Sequence, residues 1–576
     1  MGGSNIAVPC YGTPVCQPGA GQYGTKYQAA PGTLPGYRTV AATWTGADGR
    51  LWMYGGYGID GAGVSQILDD LWSFDPTLGA YGEWAWMGGH ALATPVRPGA
   101  YGPKYAAADA NWPGARTGAG SWTDKQGRLW LFGGYGPDAS GVVGFFNDLW
   151  VFDPALGAHG QWAWISGSKT IPSCSYCGNP GVYGTQGQFD ATNVPGSRDI
   201  PVCWTDASGR MWFYSGIGFD SSPTFFFADL EDIWVFDPAQ GDHGEWAWMG
   251  GPNTGVEWDA IGSYGSEFQP APENIPSYHQ APSHWNDADG SLWLFGGFGS
   301  DSAGVNAPLN DVWNFDPTAG SGGEWAWAGG DNTITYFGRR GNYPGQKAKV
   351  GPKYHFGDDF LPGARSFSLN WTDAKNRHWL LAGDGIGPFG CHGYLSDLWV
   401  FDPALGTHGQ WAWMAGDATI PCDETGGHSR GGTYGTKYKF DPANAPGSRT
   451  SGQTWTDANG NLWMFASWGA DSAGNVAALR DLWEFRFFTT QTVSFTPPLT
   501  RVAFGHAPVR LSATASSGLP VTFQLLAGPA TLSGPHNQIL TFTGPGKVVV
   551  AATQPGDDKY SPAPEVKVWI AVTGGA

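Results

Sequence analysis

The side chains that could do chemistry in this 576-residue chain stand out against a background of glycines, prolines and indoles. Histidine is scarce. His279 follows Tyr278 and sits five residues before His284; His392 follows Cys391 and comes eight residues after Asp384. Imidazoles beside a carboxylate or thiol can move protons or ligate a metal. His506 and His536 lie near the carboxyl end. Of seven cysteines, Cys10 with Cys16, Cys174 with Cys177, and Cys391 with Cys422 read as three local disulfides, a usage that suits an oxidising compartment. Cys203 is left over as a buried thiol. Zinc on Cys174 and Cys177 is the sharper alternative, but one C-x-x-C without a second pair does not complete a tetrahedral site.

Loops of the form G-x-D place Asp60, Asp138, Asp220, Asp301 and Asp471 at matching positions, which makes calcium a candidate ligand. Their spacing is not that of an EF-hand loop, and Asp is an ordinary turn residue. No metal is assigned, and no other cofactor. Arg339 and Arg340, with Lys347, Lys349 and Lys353, form the most basic stretch of an acidic chain. It could meet an anionic partner, although a solvated loop is the plainer reading. Trp112, Trp258 and Trp468 fall outside the pattern that governs the other indoles and are candidates for ligand contact.

That pattern is a six-fold repeat. Repeats begin near residues 38, 116, 198, 279, 365 and 449, and 28 of the 32 tryptophans occupy recurring slots. The second slot holds Trp52, Trp130, Trp212, Trp293, Trp379 and Trp463, spaced 78, 82, 81, 86 and 84 residues apart. Each copy contains four short aromatic runs with period-two alternation between turn signals, as in SWT, LWLFGG, DLWVFDP and QWAWISG of repeat two. Four strands repeated at a fixed period predict a β-propeller, here of six blades.

Comparison between copies separates framework from exceptions. Asp70, Asp148, Asp232, Asp311, Asp397 and Asp481 never vary; Arg38, Arg116, Arg198, Arg365 and Arg449 vary once, to His279. These acids and arginines are expected to tie strands or blades together through charge-assisted hydrogen bonds. The exceptions cluster in repeats four to six: Tyr278, His279, His284, Asp384, His392 and Trp468. They are the binding candidates, together with Trp258, Arg339 and Arg340. Strand order predicts that tight turns share one end of the ring, while second-to-third loops and inter-blade segments share the other, where function should lie.

Residues 1–37 read as an inter-blade segment. Met1-Gly2-Gly3 matches Met87-Gly88-Gly89, which follows a W-A-W strand, and repeat six passes from DLWEF into RFFTTQT with no W-A-W run. The expectation is that an upstream segment supplies that strand, and a signal peptide with it. Blade six then has three strands with an edge open to another chain, or uses RFFTTQT as its outer strand.

The Gly-Gly after the second strand (Gly55-Gly56, Gly133-Gly134, Gly296-Gly297) with a tryptophan further on resembles the kelch family over residues 1–486. Repeats three, five and six depart from it with Ser215-Gly216, Ala382-Gly383 and Ala466-Ser467. From residue 489 to 576 the text changes to short alternating strands. ATASSGLPVTF, GPATLSG and GKVVVAATQPGDDKYSPAP resemble bacterial Ig-like repeats of secreted and surface proteins. The fold class expected is all-β, a six-bladed kelch-type propeller followed by a small Ig-like sandwich.

The leading functional expectation is a non-enzymatic secreted or cell-surface protein that binds an extracellular protein or glycan. A formal net charge of -19 argues against nucleic acid, and no apolar run is long enough to span a membrane. A propeller followed by an Ig-like domain also resembles galactose oxidase. That family uses copper held by two tyrosines and two histidines, one tyrosine being cross-linked to a cysteine, a part for which Cys203 is available here. No histidine of this chain sits in a motif matching that site. Self-assembly through the edge of blade six is the third reading.

Overall fold

The computed structural model describes residues 19–173, 177–222, 227–254, 261–334, 345–419, 429–557 and 560–574. Cys10, Cys16, Cys174, Trp258, Arg339, Arg340 and Cys422 lie outside them. The chain forms two compact units, Met1–Glu484 and Phe485–Ala576. Among the described residues both are all-β apart from short 3-10 turns, and no helix is long and apolar enough to cross a membrane.

In the first unit each repeat folds as an antiparallel sheet whose strands follow chain order, because aromatic runs joined by tight turns can pair only with their neighbours. Repeat one gives Ala42–Thr45, Leu51–Tyr54, Leu71–Asp75 and Glu83–Gly88. Repeats two to five repeat the plan, starting from the inner strands Gly120–Thr123, Val202–Thr205, Ser283–Asn286 and Leu369–Thr372. Repeat six contributes Gln453–Thr456, Leu462–Ala470 and Val476–Phe485. RFFTTQT does not serve as its outer strand. Within that stretch Thr489 instead bridges Tyr560 in the second unit, a correction to one of the two sequence expectations.

Inner strands of consecutive sheets touch one another, and those of sheets six and one touch in the same way. The join is specific. The indole of each inner strand reaches into the next sheet and donates to a backbone carbonyl of its second strand. Trp44 donates to Trp130, Trp122 to Trp212, Trp285 to Trp379, Trp371 to Trp463 and Trp455 to Trp52, at 2.8–3.3 Å. Sheets three and four lack this bond; there Trp204 stacks on Trp212 and meets Phe315 edge-on, and its indole nitrogen is buried without a partner. The result is a ring of the β-propeller kind.

Every repeat contains one buried charged knot. In sheet one Asp70 accepts from both Arg38 guanidinium nitrogens (2.6 and 2.8 Å), from Tyr23 Oη (2.7 Å) and from Trp72 Nε1 (2.6 Å). Arg116 with Asp148, Arg198 with Asp232, Arg365 with Asp397 and Arg449 with Asp481 repeat the paired contact. Each arginine links the start of a repeat to its own third strand, so the tie lies within a sheet. Where the second strand leaves the sheet the chain turns left-handed, at Gly55 (φ 62°) for example. A Cβ there would stand 2.5 Å from the Arg116 carbonyl of the next repeat, while the following Gly56 N–H donates to that carbonyl. Ser215, Ala382 and Ala466 adopt the same turn in the three departing copies.

The inter-sheet segments correct an expectation. Only their ends meet the second-to-third loops, as where Gly61 N donates to Ala91 O; between these ends each runs down the outside of its sheet and, in sheets one to five, pairs with the W-A-W strand. Tyr27 N donates to Trp86 O and Tyr105 N to Trp164 O, both at 2.8 Å. The physical reason is the exposed row of N–H and C=O groups along an outer strand, which the ordered coil satisfies. At their far ends these segments staple neighbouring sheets: Tyr27 stacks on His159, Tyr105 on His243 and Phe268 on His408, with ring centroids 3.5–3.7 Å apart.

The second unit packs two-, three- and four-stranded sheets around Phe523, Leu540, Val548, Val550 and Ile570.

One repeat lacks a contact the others make. Trp130, Trp212, Trp379 and Trp463 donate through Nε1 to an aspartate in their own turn, at 2.8–2.9 Å, whereas repeat one has Gly46 there and Trp52 Nε1 is buried without a partner. Gly46→Asp is therefore expected to stabilise the first unit by about 1 kcal/mol, the net worth of one hydrogen bond, measured by urea unfolding.

Candidate functional site

Above each left-handed turn the second-to-third connection forms a small hairpin that pairs with the first residues of the repeat, so one end of the ring carries six hairpins. Register places one residue per repeat at the same middle position: Tyr57, Tyr135, Ile217, Phe298, Asp384 and Trp468. Tyr57 (49%) and Phe298 (37%) are exposed and the other four are half-buried. Aromatic rings presented at one end of a rigid scaffold are a surface suited to ligand contact.

Repeat three breaks this circle with acid. Asp199 and Asp229 flank Ile217 in one cross-strand row, and Glu231 follows two residues on. Burial pushes the Asp199 carboxyl up to about 7, with the Asp229 charge adding to it. Burial also lifts Asp229 to about 6 against a hydrogen bond from Gln280 Nε2 (2.6 Å), and Glu231 to about 7 against one from Tyr278 N (3.0 Å). Asp199 Oδ1 is buried without a partner. These three carboxyls hold protons at pH values where an exposed acid would not, so they can donate hydrogen bonds as well as accept them. No motif marks them; only comparison with Thr39, Thr117, Gln280, Ser366 and Thr450 at the Asp199 position could have singled one out.

Below the hairpins the inner strands surround a channel. Their alternation buries the indoles between sheets and turns the intervening residues inward, giving one set of Thr43, Ser121, Cys203, His284, Asn370 and Thr454, and below it a set of threonines with Asn286. Several of these side chains lock the ring by bonding to the preceding sheet: Thr123 Oγ1 to Thr45 O (3.2 Å), Thr456 Oγ1 to Thr372 O (3.2 Å), Asn370 Nδ2 to His284 O (2.6 Å). A cavity of about 340 Å³ remains, lined by Thr43, Cys203, His284, Asn370 and Thr454 among others. Burial pushes the His284 imidazole down to about 4, leaving Nδ1 without a partner, and raises the Cys203 thiol. A neutral imidazole and an un-ionised thiol offer hydrogen bonds, not nucleophilic attack.

The sequence candidates divide. Asp384 and Trp468 lie on the rim, and His392 Nε2 sits 3.1 Å from Asp384 Oδ1 beside it. Tyr278 and His279 are corrected: both are buried inside sheet four. His279 fills the arginine position, with Nδ1 2.5 Å from Ser277 O and Nε2 3.3 Å from Asp311, while Tyr278 Oη donates to Asn306 Oδ1 (2.8 Å). Off-pattern Trp112 is spent on structure, its Nε1 bonded to Asp69 O (2.9 Å). Lys349 pairs with Asp331 (3.5 Å) and Lys353 lies over Trp413, so these two cations of the basic stretch already have partners. Cys177 and Cys391 are disulfide-bonded, and Cys203 is a free thiol.

The G-x-D carboxylates do not converge on a cation. Asp60 Oδ1 accepts from Ala62 N and Val64 N and Oδ2 from Ala93 N; Asp138 and Asp301 repeat this with their own turns, the N–H donors standing where a cation's charge would have to act. A copper centre of two histidines, two tyrosines and a cysteine cross-link does not fit these side chains. His279 is locked to Asp311, His284 faces the channel beside Cys203, and the described residues contain no group of three His, Cys, Asp or Glu side chains that could hold a metal ion.

A carboxyl with a raised folded pKa binds a proton that the unfolded chain has released, so stability falls as pH rises from about 4 to about 7. Asp199→Asn is accordingly expected to raise the melting temperature at pH 8 and to leave it unchanged at pH 4; a gain independent of pH would contradict the assignment.

No protein-family model matches the chain, and no curated protein matches it. Solved structures do. The structure of YjhT aligns at 13% identity over 78% of this chain and 95% of that one, with a TM-score of 0.39. A fungal alcohol oxidase of the AA5 family, in complex with copper, aligns at 13% identity over 96% of this chain and 99% of that one, with a TM-score of 0.36. At these values neither transfers an activity or a ligand to this chain.

Proposed function

We propose that this is a non-enzymatic secreted or cell-surface binding protein, built from a six-bladed kelch-type propeller and an Ig-like sandwich, and that the hairpin end of the propeller binds a hydroxyl-rich glycan. The observation that carries the reading is the rim: exposed Tyr57 and Phe298 on the same circle of positions as the row of Asp199, Ile217 and Asp229. Aromatic faces take the apolar side of a sugar ring, and buried carboxyls take its hydroxyls. The disulfide bonds at Cys177 and Cys391 support an oxidising compartment. The reading requires no cofactor.

One observation favours a second reading, a carbohydrate-active enzyme. Carboxyls held at about 6 and about 7 are poised for general acid–base transfer at neutral pH.

Screening the intact chain against immobilised glycans should find a saturable ligand. Tyr57→Ala and Phe298→Ala should each weaken it about tenfold, the ~1.4 kcal/mol of one lost ring contact, with the glycan recovered intact. Binding untouched by both substitutions would overturn the reading. Cleavage that disappears in Asp229→Asn would replace it with the enzymatic one.

A further inference from the structure

Sheets three and four are joined differently from their neighbours. Where sheets one and two, two and three, and five and six meet, three backbone bonds tie their hairpin ends together. The arginine that opens the later repeat donates to a carbonyl just ahead of the earlier third strand: Arg116 N to Leu68 O, Arg198 N to Phe146 O and Arg449 N to Leu395 O (2.9–3.2 Å). That arginine's own carbonyl accepts from Gly56 N, Gly134 N and Gly383 N (2.8–2.9 Å). Two residues on, Gly118 N donates to Val40 O, Ile200 N to Gly118 O and Ser451 N to Phe367 O (2.6–3.0 Å). Among the described residues none of the three forms between sheets three and four, where the equivalent donors are His279 N, Gly216 N and Ala281 N.

The same seam lacks the indole bond, since Trp204 Nε1 is buried without a partner. At the channel, His284 stands in the position from which Ser121 Oγ donates to Thr43 O (3.2 Å) and Asn370 Nδ2 to His284 O (2.6 Å), and its Nδ1 is buried and unbonded. The channel bond that does cross here, from Asn286 Nδ2 to Thr205 O, is 3.4 Å long.

At the rim, this seam uses carboxyls where the others use backbone carbonyls. Tyr278 N donates to Glu231 Oε1 (3.0 Å) and Gln280 Nε2 to Asp229 Oδ1 (2.6 Å), while Tyr214 Oη donates to Pro276 O and Ser277 O (2.8 and 2.9 Å). Asp199 lies in the same row with Oδ1 unpartnered, and sheet two meets it at Gly118, which brings no charge. A carbonyl is neutral at every pH, and a carboxyl is not. The charged groups packed round these acids are already engaged, Arg198 with Asp232 and His279 with Asp311, and Tyr214 is buried beside Glu231. Burial opposes a charge on His279, yet Asp311 holds its imidazole above the ordinary histidine range, so its proton also leaves as the pH rises.

We propose that the seam between sheets three and four is a pH-operated latch, closed while Asp199, Asp229 and Glu231 carry protons and parted when they ionise, because adjoining carboxylates without a free cation gain more from hydration than is lost in the few bonds across this seam. The stability of the closed form is complete below about pH 4, where exposed acids hold their protons, and is lost as the pH rises through about 6 for Asp229 and about 7 for Asp199 and Glu231. Parting exposes Trp204, which otherwise stacks on Trp212 and meets Phe315 of sheet four. The latch needs no ligand and is separate from whatever the rim binds.

Indole N–H exchange in the intact chain labelled with ¹⁵N-tryptophan, expressed as protection relative to free indole at each pH, separates this seam from its neighbours. Protection of Trp204 is expected to fall about tenfold or more between pH 5 and pH 8, while Trp122 and Trp285, which cross the two adjoining seams, keep theirs. In the combined variant Asp199→Asn, Asp229→Asn, Glu231→Gln, Trp204 should be equally protected at both pH values. The parent protein alone locates the opening, so a variant whose melting curve shows it destabilised at pH 5 does not remove the test; Asp229→Asn by itself should then shrink the fall. Trp204 protection that does not change with pH, an equal fall at Trp122 or Trp285, or an undiminished fall in the amide variants overturns the proposal.

Discussion

The first unit depends on an indole that leaves its own sheet. A sheet of four short strands has two faces to bury, and an inner-strand tryptophan inserted into the next sheet both fills that face and places its N–H on a backbone carbonyl there. Repeated round the chain, the same contact sets the angle between sheets and brings sheet six against sheet one through Trp455 and Trp52. Once the inner strands stand side by side, their alternation follows. Indoles go between sheets, and hydroxyls and amides face the axis, where they bond to the preceding strand and tighten the circle.

Within this frame each sheet has a private anchor. A buried arginine–aspartate pair is not in itself a large source of stability, since desolvation offsets the attraction, but it fixes one arrangement because both oxygens of the aspartate are held by donors. Asp70 satisfies this with an arginine fork, a phenol and an indole. Sheet four holds its aspartate with His279 at 3.3 Å instead, so an imidazole can take the place of the arginine fork in the knot. Against this economy the acids of repeat three are anomalous. Asp199, Asp229 and Glu231 have no arginine or lysine partner among the described residues, burial raises the pKa of all three, and they lie at the end of the ring where aromatic side chains are exposed.

Much of this was legible in the sequence. Trp52, Trp130 and their successors marked the period, and the invariant Asp70 series marked a framework position, because period-two alternation and repeated turns are local signals. The path of the inter-sheet coils was not legible. Nothing in YGTKYQAAPG announces that Tyr27 N will seek Trp86 O, since that bond follows from an edge created only on folding. Rarity also misled. His279 breaks the arginine series yet is buried framework, whereas Asp384 and Trp468, which break another series, do reach the rim. Asp199 escaped notice because acids in this chain are mostly turn residues, and its burial is decided by neighbours far away in sequence.

The most direct measurement is hydrogen exchange of the indole N–H protons by NMR in protein labelled with ¹⁵N-tryptophan. The ring account predicts that Trp44, Trp122, Trp285, Trp371 and Trp455 exchange together, only through global unfolding of the first unit, so that Trp455 at the junction of sheets six and one is as protected as the rest. Fast exchange at Trp455 while the other four stay protected would mean that the sheets form an open arc, and would contradict it.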